Sequence, residues 1–256
     1  MLFRPAVIML LAAVLLGTSA CADNDNKYSY SNLDNPGIAD PLEPINRVSF
    51  TVSHFLDGFL IEPITRLYVF FAPKFMQERI ANILSNMGEP VFFANNIMQG
   101  EFEKAGITVQ RFAINTIVGV GGMFEVADEL DLNQQRTDFG LTLASWGFSS
   151  GPFLYIPVIG PSSVRDGLGF GVDCFMTPWT YIAGYGGSSA QDKYLIASTS
   201  ASILTNRAAV LDEYKALEES SLDLYAQLRS IFIQYRNKQI GRTSPGMNPD
   251  LYFDNY

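Results

Sequence analysis

A chain of 256 residues can form one large domain or two small ones, and a hydrophobic content of 48% excludes a disordered chain. Charged residues make up 17%, aromatics 13% with nineteen Phe, and mean hydropathy is +0.11, so part of the apolar surface is expected to meet lipid. The formal charge of −9 argues against a nucleic-acid binder and against electrostatic adhesion to anionic headgroups, leaving hydrophobic contact as the mode of membrane attachment.

Residues 1–20 read as a secretory signal, in which Arg4 precedes the apolar run "AVIMLLAAVLLG" and Thr18, Ser19 and Ala20 lead to Cys21. A small-residue run ending in Cys is similar to a lipoprotein processing site, where the Cys is diacylated and becomes the new N-terminus. Thr18 stands where such sites usually carry Leu, and cleavage after Ala20 without lipidation is the alternative. Loss of Arg4 with the signal leaves 16 basic against 26 acidic residues, a charge of −10. Only Cys174 is left to pair with Cys21, so no disulfide framework is expected. Two Cys and one His cannot build a Cys/His zinc site.

Residues 21–39 comprise the lipidated Cys and a polar tether rich in Asn, Asp and Ser. A helix is expected from Asp40, with Asp40 as N-cap, Pro41 at the first helical position and Glu43 as the capping-box acid. On that helix Ile45, Val48, Val52, Phe55, Leu56 and Phe59 fall in an arc of about 100°, with Asn46, Arg47, His54 and Asp57 opposite. Pro63 and Pro73 interrupt the next apolar run before it reaches the roughly 20 residues of a bilayer span, so it can lie in an interface. Helical periodicity returns in "QERIANILSNMGEPVFFANNIMQG", where Gly88 and Pro90 are expected to break or kink it, and in "EFEKAGITVQRFAINTIVG". "GPFLYIPVIGP" is the one short extended stretch, and two or three helices are expected from about Ala190 to Ile240. The reading is therefore a mainly α domain over residues 40–240, with an irregular tail from 241 to 256.

A Ser/His/Asp hydrolase would have His54 alone to work with and no G-x-S-x-G elbow. "DFG" at 138–140 lacks the rest of the kinase set. "GVGG" at 119–122 lacks both dinucleotide-fold spacing and the Walker Lys, which leaves a helix C-cap or a bending backbone. Glu125, Asp128, Glu129 and Asp131 lack EF-hand spacing and read as a solvated acidic loop. No catalytic residue, metal site or cofactor is assigned.

Three stretches, "DPLEPINR" (40–47), "NTIVGVGGMFEVAD" (115–128) and "QRTDFGLTLASWGFSSGPFLYIPVIGPSSVRDGLG" (135–169), together resemble the VacJ/MlaA family of outer-membrane lipoproteins in order and spacing. The resemblance implies a ring-like assembly of amphipathic helices in the membrane plane, lipid-anchored in the periplasm-facing inner leaflet of the outer membrane and in contact with porin trimers. It further implies an amphipathic channel that removes phospholipids strayed into the outer leaflet and hands them to a periplasmic lipid carrier of the Mla type. Gly119, Gly121 and Gly122 would be a hinge beside the channel, and residues 125–138 the periplasmic side of its exit. Val48, Phe55 and Phe59 would hold the protein at lipid depth, while Asn46 and Arg47 line a headgroup route. Arg47, Arg136 and Arg165 would each pair with a phosphate, or else form structural salt bridges to Asp138 or Asp166. Two other classes stay open: a porin-associated scaffold that moves no lipid, and a phospholipase-like enzyme.

Overall fold

A computed structural model of the chain describes residues 40–241; the signal, Cys21, the tether and residues 242–256 lie outside the described residues. The described chain is helical apart from one two-stranded hairpin and its loops.

The first helix, α1, spans Glu43–Leu56 rather than starting at Asp40, and its N-cap position is Leu42, with Pro44 in the first turn. Asp40 does not cap because tertiary partners use its carboxylate: Asn46 Nδ2 donates to it at 2.9 Å, Arg229 at 3.3 Å, and the Tyr225 hydroxyl also donates. A π-helical turn, Asp57–Ile61, joins α1 to α2 (Glu62–Phe71), with the Glu62 N–H reaching back to the Asp57 carbonyl. Pro63 supplies no N–H for the next bond, and such a gap is where a helix can shift register. Ala72 is extended, as a residue before proline is pushed to be, and the direction change at Pro73 opens α3 (Lys74–Met98).

Helix α3 runs unbroken through Gly88 and Pro90, so of the expected break or kink the break does not occur. Its partner α4 (Phe102–Ile117) locks against it by a polar seam. Asn86 donates to Thr116 at 3.1 Å, Arg111 to Glu89 at 3.4 Å, and Asn96 to Thr108 at 3.3 Å. One number rises as the other falls, so the two helices run antiparallel. Tertiary bonds along the seam offset the roughly 3 kcal/mol that an interior proline costs.

Beyond α4 come a 3₁₀ turn (Asp128–Leu130), α5 (Phe139–Ser145) and the hairpin of β1 (Phe153–Ile156) and β2 (Gly160–Ser163), with Phe153 opposite Ser163. Helix α6 (Val164–Met176) follows β2 directly, and α7 (Pro178–Gly184), α8 (Ser188–Ala209), α9 (Leu211–Ser220) and α10 (Leu224–Gln239) complete the described chain. Three helices carry side-chain N-caps: Asp138 accepts from the Leu141 N–H, Ser163 from Asp166 and Asp223 from Ala226. Helices α5 and α6 touch at Gly140 and Gly169, where a Cβ on Gly169 would stand 2.3 Å from the Gly140 nitrogen.

Polarity is inverted relative to a water-soluble helical protein. The deeply buried side chains include Asn46, Glu89, Asn95, Asn96, Thr108 and Arg111, while Ile45, Val48, Val52 and Phe55 of the α1 stripe, and Phe59 in the π-helical turn that continues it, are all exposed. Phe70 is 81% exposed and Phe71 74%, which in water would be a large unfavourable apolar surface. No helix among the described residues is long and apolar enough to cross a membrane.

Candidate functional site: a polar interior with three charge clusters

The glycine turn after α4 is closed and held from two sides. Gly121 and Gly122 have φ of +71° and +88°, and Val120 joins them at +55°. The Gly121 N–H bonds the Thr116 carbonyl at 2.9 Å and the Gly122 N–H bonds Asn115 at 2.8 Å, ending the helix. From α3, Arg79 and Asn82 both donate to the Met123 carbonyl, at 3.0 and 3.1 Å. The Arg79 guanidinium also lies between the Phe75 and Phe124 rings, 4.8 and 4.4 Å from their centroids. A Cβ on Gly119 would fall 2.2 Å from the Phe124 carbonyl oxygen, and one on Gly122 would fall 2.6 Å from Asn86 Cβ. Two of the three glycines are thus set by close approach, and Gly121 by its backbone angle.

The second cluster centres on Arg111 of α4, whose side chain is 1% exposed. It donates to Glu89 of α3 at 3.4 Å, to Glu125 at 3.3 Å, and to Asp128 and the Leu132 carbonyl. Gln134 donates to the same Glu89 oxygen at 2.9 Å, and Asn115 accepts from the Ala127 N–H at 2.9 Å. Burial first, then the neighbouring Asp128, holds the Glu125 carboxyl above the usual range, and burial raises Glu89. The loop expected to be simply solvated therefore sends two of its four acids, Glu125 and Asp128, to a buried cation. Glu129 and Asp131 are exposed.

The third cluster gathers two of the three family-like stretches, 40–47 and 135–169, on α10. Arg236 bridges Asp138 at 2.6 and 3.0 Å and Asp166 at 3.1 and 2.7 Å. Arg165, also buried, donates to Asp166 at 3.0 Å and to the Phe148 carbonyl at 3.4 Å. Burial alone would push the Asp166 carboxyl up, but the bonds from Arg236 and then Arg165 outweigh it and hold the pKa low. At the other end of α10, Arg47 makes a two-pronged contact with Asp223 at 2.7 and 3.3 Å, bonds Glu43 at 2.8 Å, and stacks over the Tyr225 ring. Asn46 is 2% exposed and ties α1 to the hairpin, donating to the Phe153 carbonyl and accepting from the Tyr155 N–H, each at 2.9 Å. Arg136 is exposed and donates to Gln134 at 2.5 Å. His54 stacks on Phe50 and faces Glu218 at 3.3 Å.

Arg111 and Arg236 were missed by sequence reasoning. Both sit in amphipathic helical stretches, and their partners lie 14 to 98 positions away, so no local spacing marks them.

A helical frame that buries amides and ion pairs and turns its aliphatic and aromatic groups outward defines a protein built to meet a lipid phase. A family model described as MlaA lipoprotein matches residues 38–239, and the chain belongs to that family. The intermembrane phospholipid transport system lipoprotein MlaA of Haemophilus influenzae is 31% identical over 231 residues, covering 88% of this chain and 86% of its own. Its namesake in Escherichia coli is 28% identical over 249 residues, covering 94% of this chain and 93% of its own. A solved chain, described as giving the structural basis for maintenance of bacterial outer membrane lipid asymmetry, superposes with a TM-score of 0.64 at 26% identity, covering 78% of this chain and 98% of that one.

Proposed function

We propose that the chain is an outer-membrane lipoprotein that removes mislocalised phospholipid from the outer leaflet and passes it to a periplasmic lipid carrier of the Mla type, with porin trimers as membrane partners. The observation that carries this reading is the inverted polarity: exposed Phe55, Phe59, Phe70 and Phe71 suit acyl chains, while the buried amides and hydroxyls suit a headgroup's need for polar contacts. Helices lying in the inner leaflet as a ring, anchored through a lipidated Cys21, would place that interior across the leaflet. No bond-making step is required.

Within this proposal the six polar positions divide by burial. Asn46, Arg165, Asp138 and Asp166 serve as structural pairing, and exposed Arg136 is the guanidinium free of a bridging carboxylate contact that meets the phosphate. Arg47 meets one only after releasing Asp223 and Glu43. Gly119, Gly121 and Gly122 act as the hinge, and opening it breaks the bonds from Arg79 and Asn82 to the Met123 carbonyl.

The test is outer-leaflet phospholipid in cells deleted for the gene and complemented with wild type, Gly121→Ala, which meets no atom within 4 Å, or Arg136→Gln. Deletion is expected to raise surface phospholipid, wild type to restore it, and both variants to fail while folded and correctly localised. Unchanged surface phospholipid on deletion would leave a scaffold as the better account, and released lysolipid or fatty acid would point to a phospholipase. Correction by Arg136→Gln would remove that residue from the route.

A further inference from the structure

Among the described residues every arginine except Arg79 and Arg136 forms an ion pair with a carboxylate, in a chain whose net charge is −9. Arg79 is nonetheless half-buried against the glycine turn. Its Nη1 donates to the Met123 carbonyl at 3.0 Å, the Phe75 and Phe124 rings cover the guanidinium, and its Nε is buried with no partner. Asn82, one turn further along the same face of α3, aims Nδ2 at the same oxygen at 3.1 Å. Two donors thus converge on one neutral oxygen with a third standing vacant beside them, and no acidic side chain shares the fork. An anionic oxygen suits such a fork better than a carbonyl, because hydrogen bonds between ionised partners are roughly twice as strong as neutral ones. Phe75 and Phe124 are 58% and 41% exposed, so the cover over the guanidinium lies at the surface and no part of the core has to open. On the neighbouring face of α3, an apolar groove of about 450 Å³ is lined by Met76 and Ile80, with Leu67 and Phe71 of α2 opposite. Met76 lies one turn before Arg79, so an acyl chain in the groove would carry its headgroup to the fork.

We propose that Arg79 and Asn82 form a binding site for a phosphate oxyanion, in which the Met123 carbonyl is an internal stand-in that the ligand displaces, freeing the glycine turn. The proposal rests on the hinge reading of Gly119, Gly121 and Gly122 and supplies the event that opens it. An incoming phosphate oxygen takes the carbonyl's place between Arg79 and Asn82, and the freed guanidinium presents Nε with a neighbouring N–H to two oxygens of one phosphate. The Met123 carbonyl and the Phe124 N–H belong to one planar peptide, so turning the carbonyl away also swings the N–H off the Gly119 carbonyl, which it now meets at 3.0 Å. The Phe124 ring leaves the guanidinium face with it, uncovering the site further. A lipid phosphodiester and free phosphate share this chemistry, and the adjoining groove favours the lipid.

The full chain in non-ionic detergent is titrated with dihexanoylphosphatidylglycerol, inorganic phosphate or phosphate-free dihexanoylglycerol. Binding is followed by broadening of the probe's phosphorus resonance, and turn opening by hydrogen exchange at the Phe124 amide. The phospholipid is expected to lower protection at Phe124 at least about fivefold, the worth of one ordinary hydrogen bond, while amides in the middle of α3 keep theirs. Arg79→Gln is expected to weaken binding about tenfold or more, as loss of one charge-assisted bond implies, with Arg79→Lys falling between. Asn82→Ala, which removes the second donor, serves if Arg79→Gln does not fold. An equal effect of inorganic phosphate identifies free phosphate as the ligand, and an effect of the phospholipid alone identifies the lipid. Failure of both phosphate probes to bind overturns the site, as does an Arg79→Gln variant that binds like wild type. A bound probe that leaves Phe124 protected, or dihexanoylglycerol loosening the turn as strongly, overturns the displacement. Both readouts are taken on the purified chain, so failure here and failure of the cellular transport assay are told apart.

Discussion

Alanine placed at successive glycines of the α4 region should give a graded series whose order is fixed by geometry. At Gly106, on an exposed face of α4, a Cβ meets nothing within 4 Å, so Ala is expected to stabilise by about 0.5–1 kcal/mol through helix propensity. At Gly121 there is also space, but φ is +71°, and a left-handed backbone costs an L-residue roughly 1–2 kcal/mol. At Gly122 the same backbone cost applies at φ +88°, and the Cβ falls 2.6–2.9 Å from three Asn86 side-chain atoms. Overpacking there adds about 1–3 kcal/mol, and displacement of Asn86 forfeits its bond to Thr116, worth about 1 kcal/mol, for a total near 4 kcal/mol. At Gly119 the obstacles are the carbonyl oxygens of Phe124 and Asn115 at 2.2 and 2.4 Å, which are backbone and cannot rotate away, so its Ala should be at least as damaging as that at Gly122. Urea unfolding in detergent, followed by far-UV circular dichroism, measures the series. Equal stability of the Gly119→Ala and Gly121→Ala variants would refute the close-approach reasoning.

Arg236→Met removes the ion-pair partner of Asp138 and leaves Asp166 with Arg165 alone, and should cost about 3 kcal/mol, while adding Asp138→Asn and Asp166→Asn should recover much of it; mutant cycles by urea unfolding check this. Because Asp166 is held below its ordinary value, its contribution is complete above the unfolded pKa of about 3.9 and is lost as pH falls through the depressed folded value. Urea midpoints taken downward from about pH 5 should show that loss and show less of it in Asp166→Asn, whereas Glu89 and Glu125 act with the opposite sign and at higher pH. Phe55→Ser and Phe59→Ser, 65% and 73% exposed, should leave helical content unchanged but each weaken partitioning to phospholipid vesicles at least about tenfold, as measured by flotation.

What could be read from the sequence was local. The exposed stripe of α1, the proline-limited length of α2, the extended stretch at 151–161 (though not its pairing as a hairpin) and the helices after Ala190 all follow from periodicity and breakers, and the three family-like stretches carried the family. The errors came where tertiary partners override a local signal. Asp40 has the spacing of a cap yet is held by Asn46, Tyr225 and Arg229, and Pro90 has the chemistry of a breaker yet sits in a helix braced by the Asn86 and Glu89 bonds to α4. "DFG" meant nothing by itself, but Asp138 caps α5 and accepts Arg236, and Gly140 lets α6 approach. The charge clusters were illegible because each joins residues far apart in the chain, and a solvated face and a buried one look alike when only one partner is in view.

Helix α10 supplies the counter-charges for Asp40, Arg47, Asp138 and Asp166, all of which precede it in the chain by at least 57 positions, the interval from Asp166 to Asp223. During synthesis or export from the N-terminus those groups are made first and wait, ionised and hydrated, for the last described helix to arrive. The burial of Asp40 and Asp166 is consequently a late event. A chain interrupted between Gly169 and Asp223 would carry all three family-like stretches and still leave Asp40 and Asp138 without their ion-pair partners, so possession of the motifs does not suffice to close the polar interior.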